Sequence, residues 1–460
     1  MASRHLAFYF PARTLILVLG EVAILLGSFV LATILRFGSD SYFVLNYENG
    51  IYKITFVTVL GMLCMYFLDL YDIQRMDSER KTYLHLVKVL GVLSLLLGLL
   101  GMQFPGFMVG KFVFVTGLPI LACLVFLWRR MFVAANRSKR LVQPTLILGD
   151  GDYTPLCKEV EKRPELGFKL IGYVGTQDCA RENHYLRRLG DMAEVEQIIA
   201  TEGIRRIVVT MRDRRGKLPV ETLLNLKARG VQIEDVADFY EYVTGRVPLE
   251  SLRVSWLLFS RGFCPSRALL IFTRIVSAIS AFFMLFVTGP LMAIIVLATW
   301  MDSGFPILFR QKRVGKQGKI FTLYKFRSMR VLDSEMARPA EKDDVRFTRV
   351  GRWLRKSRLD ELPQLYNILR GDMSFVGPRP FMVEEEFDLA RQIPFYEQRW
   401  CVNPGATGWA QIHRPYCSTL TDNEEKLSYD LFYIKNMSIG LDLLVLFQTL
   451  KILVLRRGSR

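Results

Sequence analysis

The run IVSAISAFFMLFVTGPLMAIIVLATWM, Ile275–Met301, carries no charge between Arg274 and Asp302. At 1.5 Å per residue, a helix over it is about 40 Å long, more than one straight crossing of a roughly 30 Å hydrocarbon core requires. Gly289-Pro290 falls near its middle, where proline removes a backbone donor and clashes with the preceding turn. Both flanks are basic, with Arg261, Arg267 and Arg274 before the run and Arg310, Lys312 and Arg313 after it. Such symmetry disfavours a crossing, because basic flanks stay on the cytoplasmic side. The pattern predicts a re-entrant helix near 268–301, broken at Gly289 and Pro290, that enters and leaves by the cytoplasmic face. One long tilted span is the alternative, and it would export the polar segment that follows.

Four more apolar runs lie upstream. Thr14–Leu35 holds one charge, Glu21, while Val89–Gly110 and Phe112–Trp128 hold none. Ile54–Leu68 reaches a spanning length if Ile51 and Tyr52 join it and Lys53 snorkels. Residues 1–140 therefore read as a helical domain of four spans. A cleaved signal peptide is excluded, since no small-residue cleavage site follows the first run. Cations cluster before the first run (Arg4, Arg13), between the second and third (Arg75, Arg80, Lys81, Lys88) and after the fourth (Arg129, Arg130, Arg137, Lys139, Arg140). That bias predicts a multi-pass protein whose N terminus, and everything after the fourth span, faces the cytoplasm.

Residues 141–250 alternate differently. Strands are expected at Thr145–Gly149, Lys169–Val174, Arg206–Thr210 and Val231–Val236, separated by helices near Tyr153–Lys162, Met192–Thr201 and Val220–Ala228. This order predicts an α/β, Rossmann-like insert built on a parallel sheet. Its first turn, Gly149-Asp-Gly151-Asp-Tyr-Thr154, is a dinucleotide fingerprint with Thr154 at the third glycine. No acid closes the second strand, so the ribose partner is missing and the insert reads as a structural or assembly domain, with a ligand site as the alternative.

Composition agrees with a membrane protein. Hydrophobic residues make up 51% of 460 and mean hydropathy is +0.22, too apolar for an ordinary soluble enzyme. Lys and Arg number 61 against 44 Asp and Glu, a net +17 that suits nucleic acid, an anionic membrane face or an anionic substrate. Membrane-flanking cations account for much of that charge, so no nucleic-acid partner is expected. Seven scattered cysteines form no CxxC, which excludes a zinc ribbon or a thiol redox centre.

The remaining domain, 251–460, holds the chemistry. Lys325-Phe-Arg327-Ser-Met-Arg330 follows a hairpin expected to turn at Gly315-Lys-Gln-Gly318. Arg349-Val-Gly-Arg352-Trp-Leu-Arg355-Lys356-Ser-Arg358 runs directly into Leu359-Asp360-Glu361-Leu-Pro363, downstream of an acidic pair, Asp343-Asp344. Two adjacent carboxylates among cations divide labour, because on a helix they point about 100° apart. One can face a reacting phosphorus while the other holds a metal. Arg379, between Pro378 and Pro380, is a stiffly held guanidinium suited to forked phosphate binding. Leu441–Leu455 reads as an apolar or amphipathic helix on the membrane.

YKFRSM (Tyr324–Met329), RLDELPQLYNIL (Arg358–Leu369), GDMSFVGPRP (Gly371–Pro380) and NPGATGWAQ (Asn403–Gln411), in that order, resemble the bacterial sugar transferase family. The likeness extends to the large form of that family, with four spans and a Rossmann-like insert. It implies a polyprenyl-phosphate hexose-1-phosphate transferase of the bacterial inner membrane, acting in exopolysaccharide, capsule or O-antigen synthesis. Such an enzyme moves a sugar 1-phosphate from a UDP-sugar to undecaprenyl phosphate and releases UMP. The resemblance implies Asp360 as the nucleophile, Glu361 as its partner at Mg²⁺, and Arg379, Lys325, Arg327, Arg352 and Arg355 at substrate phosphates. It also implies Asp430 as a further functional acid and a homo-oligomer, a dimer, on the bilayer. Galactose, glucose and N-acetylated sugars all remain open. Two departures stand out: Gly289-Pro290 where small members have Ser-Pro, and Arg358 where a serine often precedes LDELPQ. A nucleotide-sugar dehydratase or epimerase would need a complete dinucleotide site and a Tyr-x-x-x-Lys pair, and neither is found. A scaffold with decayed motifs is disfavoured by intact Asp360, Glu361 and Arg379.

Overall fold

The computed structural model describes residues 12–71, 79–107, 110–136, 142–149, 153–175, 186–211, 218–249, 260, 262–263, 265–330, 346–414 and 419–455. Arg4, Arg75, Arg137, Lys139, Arg140, Arg261 and the Asp343-Asp344 pair lie outside them. Two compact units divide the chain, Met1–Thr244 and Gly245–Arg460.

The first unit opens with helices α1 (Ala12–Phe37), α2 (Gly50–Phe67), α3 (Glu79–Gln103) and α4 (Lys111–Asn136). Each is long and apolar enough to cross a membrane. Leu25, Phe29, Ile54, Met65, Leu93 and Leu121 fill the space between them, while Leu19, Phe56, Leu95 and Val115 face outward. Apolar side chains on both surfaces are the signature of helices solvated by lipid rather than water. Glu21, the lone charge of the first run, is fully buried and accepts from Arg129 Nε at 2.7 Å. Arg129 Nη1 also donates to Leu70 O at 3.0 Å, so the charge that sequence placed at a span's end is spent inside the bundle.

Next come β1 (Gln143–Leu148), α5 (Thr154–Glu161), β2 (Phe168–Val174), β3 (Arg188–Gly190), α6 (Val195–Glu202), β4 (Arg206–Val209), α7 (Val220–Ala228), β5 (Gln232–Asp235) and α8 (Val236–Thr244). The strands form one parallel sheet in the order β3-β2-β1-β4-β5. Alternation along β1 sends Leu146 and Leu148 toward α6 and α7, and Ile147 toward α5 and α8. Both faces are thus covered, as an all-parallel sheet requires. The four expected strands are present; β3 and α8 are additional, one too short and one too closely joined to β5 to show in hydrophobic period. Of the glycine-rich turn only its ends are described, since residues 150–152 lie outside. Tyr153 Oη donates to Gly149 O, and a Cβ at Gly149 would meet Met211 Cγ at 2.4 Å, so this end of the turn is filled by protein.

The second unit begins with α9 (Arg267–Ser303), a 37-residue helix capped by Ser266 Oγ, which accepts from Leu269 N. The expected interruption at Gly289 and Pro290 is absent: α9 stays helical through both. Proline deletes one i→i−4 bond, leaving Phe286 O without that donor, but the bonds on either side continue the helix. Thr288 Oγ1 donates to Met284 O at 2.6 Å rather than to the freed carbonyl. Ala281 and Leu285 pack against Leu323, Leu365 and Ile368, and Met292, Ile295 and Val296 against Phe326 and Leu354. Phe282, Phe283, Phe286, Ile294 and Met301 point away, all exposed.

An antiparallel hairpin, β6 (Leu308–Val314) and β7 (Ile320–Phe326), turns where Gly315–Gly318 predicted. It is followed by α10 (Arg349–Ser357), α11 (Gln364–Arg370), β8 (Ser374–Val376), α12 (Val383–Gln392), β9 (Gly405–Thr407), α13 (Leu420–Lys435) and α14 (Ile439–Val454). β8 and β9 pair in parallel. Gly377 and Gly405 make that pairing possible, because a Cβ on Gly405 would lie 2.1 Å from Gly377 N. α14 exposes Ile439, Leu443, Leu446, Phe447, Leu450 and Leu453 along one stripe, matching the amphipathic helix expected there.

Candidate active site

Asp360 and Glu361 sit on a tight turn, Leu359–Glu361, between α10 and α11. Arg358 opens it in the left-handed region (φ 55°, ψ 19°), ending α10 and reversing the chain at once. At about three residues per turn the two carboxylates diverge, as their adjacency implied. Asn367, fully buried on α11, fixes this turn to the hairpin. Its side-chain amide donates to Thr322 O at 2.8 Å and its Oδ1 accepts from Tyr324 N at 3.2 Å. The residue after Tyr324 is Lys325, so one asparagine sets the distance between Lys325 and the dyad.

The two acids have opposite surroundings. Glu361 Oε1 accepts from Lys325 Nζ at 3.0 Å and from Arg379 Nη2 at 3.5 Å. Burial pushes its carboxyl up, but Lys325 and then Arg379 outweigh that and hold it down at about 2. Asp360 is only 9% exposed and has no ion pair among the described residues. Burial, then the charge of Glu361, pushes it up to about 6, with Lys325 and Arg355 pulling the other way. The two carboxylates therefore differ: Glu361 is held by two cations, and Asp360 is buried with no ion pair among the described residues.

Of the other predicted phosphate ligands, Arg355 is exposed on α10, its guanidinium 4.5 Å from the Phe347 ring centre. Arg352 is exposed one turn earlier and makes no ion pair among the described residues. Arg327 is buried, and its guanidinium donates to Ser303 O, to Ser303 Oγ at 2.7 Å, to Gly304 O at 2.6 Å and to Phe305 O at 3.0 Å. Those bonds tie it to the C-terminal end of α9. No cluster of three metal-ligating side chains occurs among the described residues. Two carboxylates, Asp360 and Glu361, suit an ion that takes its remaining ligands from substrate phosphate and water, as magnesium does.

A family model described as bacterial sugar transferase matches residues 268–456, which include the whole dyad region. A UDP-glucose:undecaprenyl-phosphate glucose-1-phosphate transferase of Klebsiella pneumoniae is 32% identical over 346 residues, 73% of this chain and 71% of that protein. The chain belongs to the bacterial sugar transferase family. A UDP-N-acetylgalactosamine-undecaprenyl-phosphate N-acetylgalactosaminephosphotransferase of Aeromonas hydrophila is 38% identical over 234 residues, half of this chain and 54% of that protein. A glucose-1-phosphate transferase of Xanthomonas campestris pv. campestris is 32% identical over 305 residues, 63% of this chain and 62% of that protein. The chain therefore spans a little over half of the Aeromonas protein and about three fifths of the Xanthomonas one.

In this sugar transferase Asp430 does not join the dyad. It is buried on α13, where Oδ2 accepts from Arg399 Nε at 2.9 Å. Arg399 Nη1 donates to Glu386 Oε1 at 2.9 Å and to Tyr396 Oη at 2.6 Å. Arg399 and Glu386 were not anticipated. An arginine between Gln398 and Trp400, and the last of three consecutive glutamates, look like surface charge until the fold buries both. Arg313, expected only as a membrane-flanking cation, lies beside the proline pair, where burial and then the charge of Arg379 press it down to about 10.

Proposed function

We propose that this sugar transferase carries a sugar 1-phosphate from a UDP-sugar to undecaprenyl phosphate, through a covalent intermediate on Asp360. An Asp360 oxygen attacks the phosphorus that bears the sugar, and the bond from that phosphorus to the bridging oxygen breaks, releasing UMP. An oxygen of undecaprenyl phosphate then attacks the same phosphorus and displaces Asp360, giving undecaprenyl diphosphate sugar. The observation that carries this reading is the contrast within the dyad: a buried Asp360 with no ion pair among the described residues, next to Glu361 paired with Lys325 and Arg379. Lys325 and Arg379 offer positive charge where the transferring phosphoryl gathers negative charge. Glu361, with Asp360 adjacent, would hold Mg²⁺, which when bound neutralises phosphate charge.

Membrane placement is part of the proposal. α1–α4 are read as four spans, and the parallel sheet, by its order β3-β2-β1-β4-β5, as a Rossmann-like assembly domain of a dimer. α9 is read as re-entrant in the inner membrane, with the site on the cytoplasmic face. Bonds at its two ends support this: Arg274 donates to Ile368 O and Leu369 O, each at 2.7 Å, and Asp302 Oδ2 accepts from Val350 N at 2.8 Å. α10 and α11 are joined by the dyad turn, so both contacts run to the segment that carries the dyad. The test is UMP release by membranes supplied with undecaprenyl phosphate and a panel of UDP-sugars, with and without EDTA. Release from one or more donors, lost on chelation, is expected. No release from any donor would contradict the activity, and full release in EDTA would remove the metal.

A further inference from the structure

The three carbonyls of Pro378-Arg379-Pro380 are held one by one. Pro378 O accepts from Gly405 N at 2.9 Å, Arg379 O from Arg399 Nη2 at 2.9 Å, and Pro380 O from Arg313 Nη1 at 3.3 Å. Glu386 extends the hold, since its Oε1 accepts from Arg399 Nη1 and Trp400 Nε1 while its Oε2 accepts from Phe381 N. Arg399 is 4% exposed, and Glu386 and Asp430 are 2% and 1%. Lys426, also buried, lies with Nζ 4.3 Å from the Phe381 ring centre, giving two cations to two carboxylates. Evolution of a chain toward stability alone has little use for such a cluster, because well-packed apolar residues do as well. Two bonds from the cluster reach the segment that carries Arg379: Arg399 Nη2 donates to Arg379 O, and Glu386 Oε2 accepts from Phe381 N.

We infer that Arg399, anchored by Asp430 and Glu386, is a positioning residue that sets the backbone of Pro378-Arg379-Pro380 so that the Arg379 guanidinium faces Glu361 before substrate arrives. The inference rests on the functional reading above for its activity readout. Its physical content is preorganisation: donor binding then spends nothing on ordering Arg379. Asp430 accordingly acts through Arg399, three contacts from the dyad.

The test is a double-mutant cycle on full-length protein in membranes, with kcat/KM for the UDP-sugar as readout. Arg399→Lys keeps the charge but not the three-way fork. It should lower kcat/KM about tenfold to a hundredfold in the wild-type background, and by about twofold or less once Arg379→Ala has removed the group it positions. Asp430→Asn, isosteric and uncharged, should show the same pattern with smaller losses, and serves if Arg399→Lys does not fold. Amide exchange of the peptide covering 374–382 should quicken in Asp430→Asn and stay unchanged in Arg379→Ala. Equal losses in both backgrounds, or unchanged exchange in Asp430→Asn, would overturn the inference. A wild type that releases no UMP would contradict the functional reading instead, and the exchange measurement would still decide the clamp.

Discussion

Asp360→Asn separates stability from activity in opposite directions. Raising the carboxyl of Asp360 from its ordinary 3.8 to about 6 means that folding opposes its ionisation. At 1.36 kcal/mol per pH unit this costs about 3 kcal/mol when the group is ionised in both states. The sign follows from the raised value. Below about 3.8 both states are protonated and nothing is lost, whereas above about 6 both are ionised and the full cost applies. Asparagine carries no charge at any pH, so the variant should be more stable than wild type by up to about 3 kcal/mol at pH 7.5, and by about half that at pH 5. Unfolding midpoints of detergent-solubilised wild type and variant at the two pH values measure the difference, and UMP release measures activity. The variant should release none. A variant less stable than wild type at pH 7.5, or a stability gap that widens toward pH 5, would refute the claim that Asp360 is buried against its own charge.

Lys325 lowers both carboxyls of the dyad, so Lys325→Met should move the acid limb of the activity profile above its expected position near pH 6, as a pH series of initial rates would show. In the bundle, Arg129→Leu leaves Glu21 buried without its cation and should destabilise by about 3–5 kcal/mol, while Glu21→Leu with Arg129→Leu should recover most of that in the same unfolding assay. Single cysteines near Arg267 and Lys312, in a cysteine-free background, should both label from the cytoplasmic side only; labelling of the Lys312 probe from outside would mean that α9 crosses.

Hydrophobic period gave the four N-terminal helices, because each is an apolar block between polar ends, and it gave four of the five strands of the sheet, because each lies in a short apolar run bounded by turn residues. Period says nothing about what a proline does inside a helix whose other bonds are intact, so α9 was expected to break where it continues. Asp360, Glu361 and Arg379 were singled out because they stand in motifs that resemble the family's, and the fold brings Glu361 and Arg379 together. The bonds of Arg327 to the carbonyls at the end of α9 were not legible, because no sequence pattern announces a carbonyl. Arg399 and Glu386 stayed hidden because residues 13 apart show no common spacing pattern, and only the fold buries and pairs them.

The central claim is a phosphorus–oxygen bond to Asp360 formed before the lipid acceptor takes part. Isotope exchange tests it most directly: labelled UMP and unlabelled UDP-sugar, incubated with the purified transferase in the absence of undecaprenyl phosphate. A covalent intermediate predicts label appearing in the UDP-sugar, and none with Asp360→Asn. Failure of exchange in a preparation that releases UMP once undecaprenyl phosphate is added would contradict it, since the sugar phosphate would then pass directly from donor to acceptor.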